Sequence, residues 1–260
     1  MGGAGGASSS GAPPRVAGGS MKFDALATDY DGTIAHHGVV DQATTDALLR
    51  ARDAGLRLIL VTGRELSDLF NTFAHSAIFD RIVAENGGIL YDPATQRPEI
   101  LGSPPPSELV ERLRREGVPV SVGHSIVATV EPFEHQLLSA IHDLGLEWHI
   151  IFNKGAVMAL PADVTKATGL APALGSLGIS PGRTIGVGDA ENDQAFLRAC
   201  GVAVAVANAL PSVKEMANVV TAAAKGAGVS ELIDRVIAGE LDDLARTAPS
   251  GALSSQLPPR

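Results

Sequence analysis

The chain is 260 residues long, 45% hydrophobic and 19% charged, enough to bury a sizeable core. Its 20 basic against 29 acidic residues give a net charge of −9, which argues against nucleic acid or an anionic membrane as the main partner. A single cysteine, Cys200, excludes an internal disulfide and suits a reducing, cytoplasmic setting, and no apolar run approaches the ~18 residues of a membrane span.

Residues 1–20 are rich in Gly, Ala and Ser and lack the apolar centre of a signal peptide, so they predict a disordered tail. Met21, directly before the first apolar run, is a candidate start. Residues 23–27 then form a short, nearly continuous apolar run, the pattern of a strand buried on both faces of a parallel sheet. It ends in Asp29 and Asp31, followed by Gly32. Side chains alternate along a strand, so the two carboxylates project the same way where the chain leaves the sheet. Such a pair also serves as a turn or a helix cap. As a binding site, two like charges this close call for a cation, and a divalent metal of the magnesium type fits oxygen ligands. A calcium EF-hand loop is excluded, because Ile34 stands where its glycine belongs and Val40 where its glutamate belongs.

Residues 41–54 predict a helix stopped by Gly55, and 56–61 a second buried strand. That strand runs into Thr62-Gly63-Arg64, a glycine turn whose hydroxyl and N–H groups suit a phosphate oxygen. A helix over 65–75 and a strand over 81–84 follow, the latter ending in the turn Glu85-Asn86-Gly87-Gly88. From residue 89 to about 161 the alternation breaks down. A strand at 89–91, a helix at 107–116 with Ser107 as cap, an extended run at 118–130, a helix at 134–144 and strands at 148–152 and 156–160 together predict an α+β insertion. The parallel pattern resumes with helices at 166–177 and 190–199, strands at 184–187 and 202–206, and a helix at 211–217 opened by proline. A short edge strand at 219–221 and a helix at 229–238 complete it. Lys166 opens its helix, where a cation is disfavoured. Gly188-Asp189-Ala190-Glu191-Asn192-Asp193 gathers acids and an amide where a strand meets a helix. Gly186-x-Gly188 is not a dinucleotide loop, since Glu191 occupies the third glycine position.

All four stretches fall at carboxyl ends of parallel strands or on a helix beside one, so one sheet edge can collect them. Carboxylates to hold a metal, with a hydroxyl and a lysine to hold phosphate, constitute a phosphoryl-transfer site.

This combination resembles the haloacid dehalogenase-like (HAD) superfamily, whose four motifs match DYDGT at Asp29, Thr62, Lys166 and GDAEND at Asp189. The long insertion, the Glu85-Asn86-Gly87 signature and the form Gly-Asp-x-x-Asn-Asp look like its Cof-type branch of sugar-phosphate and phosphoglycolate phosphatases. The resemblance covers about residues 22–239. It implies an α/β fold: a Rossmann-like parallel-sheet core from residues 21–88 and 161–240, an α+β cap at 89–160 that sets specificity, and a free tail or linker at 241–260. It further implies Asp29 as nucleophile and Asp31 as general acid and base. Mg2+ would be held by Asp29, the backbone carbonyl of Asp31 and Asp189. Thr62, Gly63, Lys166 and Asn192 would bind the phosphoryl oxygens, with Asp193 orienting Lys166 or the metal's water shell. Arg64, Asn153 and Lys154 are the candidates for contacting the rest of a small phosphorylated metabolite. His36 and His37 follow the catalytic loop and could touch substrate. A phosphotransferase or phosphomutase shares the same residues. A phospho-ligand-sensing module of a larger protein has little use for Asp31.

Overall fold

The structure is a computed structural model, and it describes residues 22–153 and 155–244. Eight strands form the main sheet in the order β12-β11-β10-β1-β2-β3-β4-β5. β1 (Ala25–Thr28), β2 (Arg57–Val61), β3 (Arg81–Ala84), β10 (Thr184–Gly188), β11 (Val202–Ala205) and β12 (Val219–Val220) run parallel. Every residue of β1, β10 and β11 is buried, the mark of central strands covered on both faces. One pair of covering helices is α1 (Gln42–Asp53) on α8 (Lys225–Ile237), and another is α5 (Lys166–Leu177) on α6 (Gln194–Ala199).

From β1 the chain steps to β2 on one side and later returns to β10 on the other, so the strand order reverses there. In open α/β sheets the crevice outside the carboxyl ends at such a reversal is where ligands bind. Asp29, Thr62, Glu85, Asp189 and the loop after β11 all lie at that edge.

The expected insertion begins differently from its sequence reading. β4 (Ile89–Asp92) and β5 (Arg97–Ile100) extend the main sheet antiparallel from β3. Only past them does the chain form a second sheet, all antiparallel, in the order β6-β7-β9-β8. Its strands are β6 (Ser121–Val122), β7 (Val127–Val130), β8 (Trp148–Asn153) and β9 (Ala156–Pro161). β9 shows why it holds its orientation. Val157 and Ala159 pack with Leu109 and Leu113 of α3 (Ser107–Arg115) and Leu137 and Ile141 of α4 (Glu134–Asp143). Met158 and Leu160, on the alternate face, form a separate small cluster with Ile126 and Val164. The unit is therefore a two-helix, four-stranded α+β layer.

Ser107 is the first helical residue of α3 rather than its cap, a place taken by Pro106. α7 (Pro211–Met216) opens with its proline at a favoured position. Cys200 is buried, and burial pushes its thiol up to about 12. Residues 1–21 and 245–260, which contain the expected N-terminal tail and most of the expected C-terminal one, lie outside the described residues. Leu241 is 1% exposed and joins the main core. Among the described residues, no helix is long and apolar enough to cross a membrane.

Candidate active site

Asp29 follows β1 directly and is 4% exposed. Its amide donates to Val187 O at 3.0 Å, which ties the end of β1 to β10. Lys166 reaches it from α5. That helix is opened by a capping box in which Thr168 N donates to Thr165 Oγ1 and Thr165 N to Thr168 Oγ1. The box places Lys166 in the first turn, 2% exposed, where its Nζ donates to Asp29 Oδ1 at 2.5 Å and Asp193 Oδ1 at 2.6 Å. The second oxygen of Asp193 accepts the N–H groups of Asp189 and Ala190, both at 2.9 Å, and so shapes the loop after β10. Thr33 donates to Asp189 Oδ1 at 3.2 Å, and Asn208 Nδ2 donates to Gly32 O at 2.8 Å. Gly87, at φ +112, permits the closest approach here: a Cβ at this position would lie 2.0 Å from Thr165 O.

Asp29, Asp189 and Asp193 each offer an oxygen within 4.8 Å of the others, and all three are buried. Three carboxylates against one ammonium leave the cluster with an excess of negative charge. Burial, followed by the Asp193 carboxylate, pushes Asp29 up to about 7 despite the pull of Lys166. Burial also works against the Lys166 charge, yet Asp193 and Asp29 outweigh it and hold the amine above its ordinary range. A hard divalent cation with oxygen ligands would offset the excess and return Asp29 to its ionised form. The donor set fits such an ion.

Asp31 faces elsewhere. Its carboxylate accepts two bonds from Arg64, Nε to Oδ2 at 2.7 Å and Nη2 to Oδ1 at 2.8 Å. Arg64 is held in turn by Asp68 at 2.7 Å and Thr72 at 3.2 Å. Its own N–H donates to Thr62 Oγ1 at 3.1 Å, so the turn after β2 closes on itself. Two cavities open beside Asp31. One of about 420 Å3 runs past Asp189, His36, His37, Asn208 and Lys225. The other, of about 500 Å3, runs past Gly63, Arg64 and Met158. Asn153 lines both. A third cavity of about 160 Å3 joins Lys166, Asn192, Asn86 and His149.

Asp29, Lys166, Asp189 and Asp193 thus converge, and Asp31 is held beside them by Arg64. Gly63 and Asn153 line a cavity with Asp31, Asn192 lines one with Lys166, and Thr62 directly follows the strand paired with β1. Lys154 lies outside the described residues. Asn208 escaped the sequence reading. It sits between alanines with no motif, and the available signal was its place just past the carboxyl end of a parallel strand.

The family model for haloacid dehalogenase-like hydrolases matches residues 26–113 and 130–233. The chain is a haloacid dehalogenase-like hydrolase. This hydrolase is 32% identical over 223 residues to a phosphoglycolate phosphatase of Methanothermobacter thermautotrophicus, covering 81% of this chain and 97% of that protein. It is 30% identical to phosphoglycolate phosphatase 2 of Saccharolobus solfataricus, covering 82% and 92%. Among solved structures it resembles a haloacid dehalogenase-like hydrolase from Bacteroides thetaiotaomicron at a TM-score of 0.70 and 19% identity, covering 82% of this chain and 99% of that one. A HAD subclass IIB sugar phosphatase matches at a TM-score of 0.67 and 19% identity, covering 82% and 98%. These structural matches support the mixed α/β fold with its largely parallel sheet.

Proposed function

We propose that this hydrolase is a magnesium-dependent phosphatase of small phosphomonoesters, with phosphoglycolate the first candidate substrate, working through a phosphoryl group carried on Asp29. The enzyme class, hydrolysis of phosphoric monoesters, rests on the phosphoglycolate phosphatases that align over nearly their whole length. The observation that carries the mechanism is the buried Asp29 carboxylate held by Lys166 beside a second, separately held acid, Asp31.

Asp29 attacks phosphorus in line, forming a bond to one carboxylate oxygen as the ester oxygen leaves. Asp31 gives that oxygen a proton, then takes one from the water that attacks the phosphorus and frees Asp29. Thr62, Gly63, Lys166 and Asn192 receive the phosphoryl oxygens. A magnesium ion held by Asp29, the Asp31 carbonyl and Asp189 would supply positive charge against the transferring group. Both oxygens of Asp31 accept from Arg64, which orients the carboxyl group while leaving each oxygen a second lone pair for the transferred proton. Asp68 and Thr72 keep Arg64 in place. The cavities under Asn153 give the substrate's remainder its place, and the α+β layer over them restricts its size.

The test is phosphate release from phosphoglycolate, sugar phosphates and an aryl phosphate, with and without magnesium. Release that stops in EDTA and returns with magnesium is the expected result. A folded, magnesium-binding protein that releases none contradicts the reading. Transfer of the phosphoryl group to an added alcohol, with no inorganic phosphate released, identifies a phosphotransferase.

A further inference from the structure

Asn86 follows β3 in the left-handed backbone region (φ +52) and is fully buried. Backbone bonds stitch its segment to the turn after β2: Asn86 N donates to Thr62 O and Glu85 N to Arg64 O, each at 3.0 Å. Its side chain packs over the same turn, because a Cβ on Gly63 would lie 2.9 Å from Asn86 Nδ2. Asn86 Oδ1 accepts from Asn192 Nδ2 at 2.8 Å, across 106 positions of sequence. Asn86 Nδ2 has the Met158 sulfur of β9 at 3.5 Å, and a thioether is a weak acceptor. The strong bond of this side chain is the one to Asn192.

A carboxamide presents donors at one end and acceptors at the other. An anionic phosphoryl oxygen needs the donor end. With one Nδ2 hydrogen of Asn192 committed to Asn86 Oδ1, a flipped Asn192 amide would set oxygen against oxygen. The bond therefore selects the rotamer whose remaining N–H serves the cavity that Asn192 shares with Lys166.

We propose that Asn86 is a positioning residue for phosphate binding: it fixes the Asn192 carboxamide with its donor end toward the phosphoryl site and keeps the Thr62-Gly63 turn in register with it. The proposal rests on Asn192 binding phosphoryl oxygens, as the function above requires. Asn86 itself takes no part in the chemistry.

The test measures inorganic phosphate binding to the magnesium-loaded full chain by calorimetry. Asn86→Gly suits the left-handed backbone and removes only the side chain. It is expected to weaken phosphate binding about tenfold, the scale of one hydrogen bond to a charged group. Asn192→Ala should lose a similar amount, and the double variant no more than either alone, because both remove one shared interaction. A phosphate Kd unchanged in Asn86→Gly, or losses that multiply in the double variant, would overturn the proposal. If Asn86→Gly lacks a cooperative melt, exchange of the Asn192 side-chain amide in the unaltered enzyme decides. Protection supports the bond, and exchange at the solvent rate overturns it. Failure of phosphatase activity is a separate result, read from turnover rather than from this Kd.

Discussion

Asp29→Asn is expected to reduce phosphate release by roughly 10^4-fold or more, the scale seen when a nucleophile is removed from a covalent catalyst. The same change should leave the fold intact, and in EDTA it should raise the melting temperature. The cause is electrostatic. Asn keeps an oxygen to accept from Lys166 while removing one of three clustered, buried carboxylates. The pH dependence has a definite sign. Asp29 is raised from 3.8 to about 7 in the fold, so between those values the native state binds the extra proton and its stability falls as pH rises. The gain from Asp29→Asn in EDTA should therefore be larger at pH 8 than at pH 5. Thermal melts at the two pH values check this, and a variant that melts lower than its parent at both would contradict the account of the cluster. Retained activity would remove Asp29 from the mechanism.

Lys166→Met should have the largest effect on stability. The ammonium is buried between Asp29 and Asp193, and a side chain of similar length without charge leaves both carboxylates facing each other out of water. Breaking a buried pair from one side costs about 3–5 kcal/mol, which for a chain of this size lowers the melting temperature by about 10 °C. Magnesium should restore part of that loss, because it supplies positive charge to the same oxygens. A melting temperature within about 2 °C of the parent in EDTA would mean that the lysine does not hold the carboxylates together. Activity should fall as well, since the proposed function gives Lys166 a phosphoryl oxygen to bind.

The parts of the fold that could be read from sequence are those written in local periodicity and caps. The buried runs of β1 and β10 and the span of α5 fall where the apolar pattern puts them, because burial on both faces and a helix's cap leave their mark in the local sequence. α8 begins a turn earlier than its pattern predicts, at Lys225. Gly226 lies in that added turn, where a Cβ would meet Thr44 Oγ1 of α1 at 2.0 Å. Glycine in that position answers to a neighbouring helix rather than to the local chain. β5 is exposed throughout and looked like part of the insertion. Edge strands lack the buried-run signature, and their place is set by pairing.

The site divides along the same line. Asp29, Thr62, Lys166 and Asp189 stood out because each carries a recognisable residue type at the end of a strand or the start of a helix. The pairing of Asp31 with Arg64, the bond from Asn192 to Asn86 and the reach of Asn208 to Gly32 join residues 33, 106 and 176 positions apart. No local pattern encodes such bonds. They follow only once the strand order brings five loops to one edge.

In the proposed mechanism the phosphoryl group passes through Asp29. The direct measurement is rapid mixing of the magnesium-loaded enzyme with phosphoglycolate, an acid quench, borohydride reduction and mass analysis of the peptide containing residues 22–33. An acyl phosphate at Asp29 is reduced to homoserine, so homoserine at that position, formed only with substrate and magnesium, is the predicted result. Phosphate release at full rate with Asp29 recovered unchanged at every quench time would contradict the account.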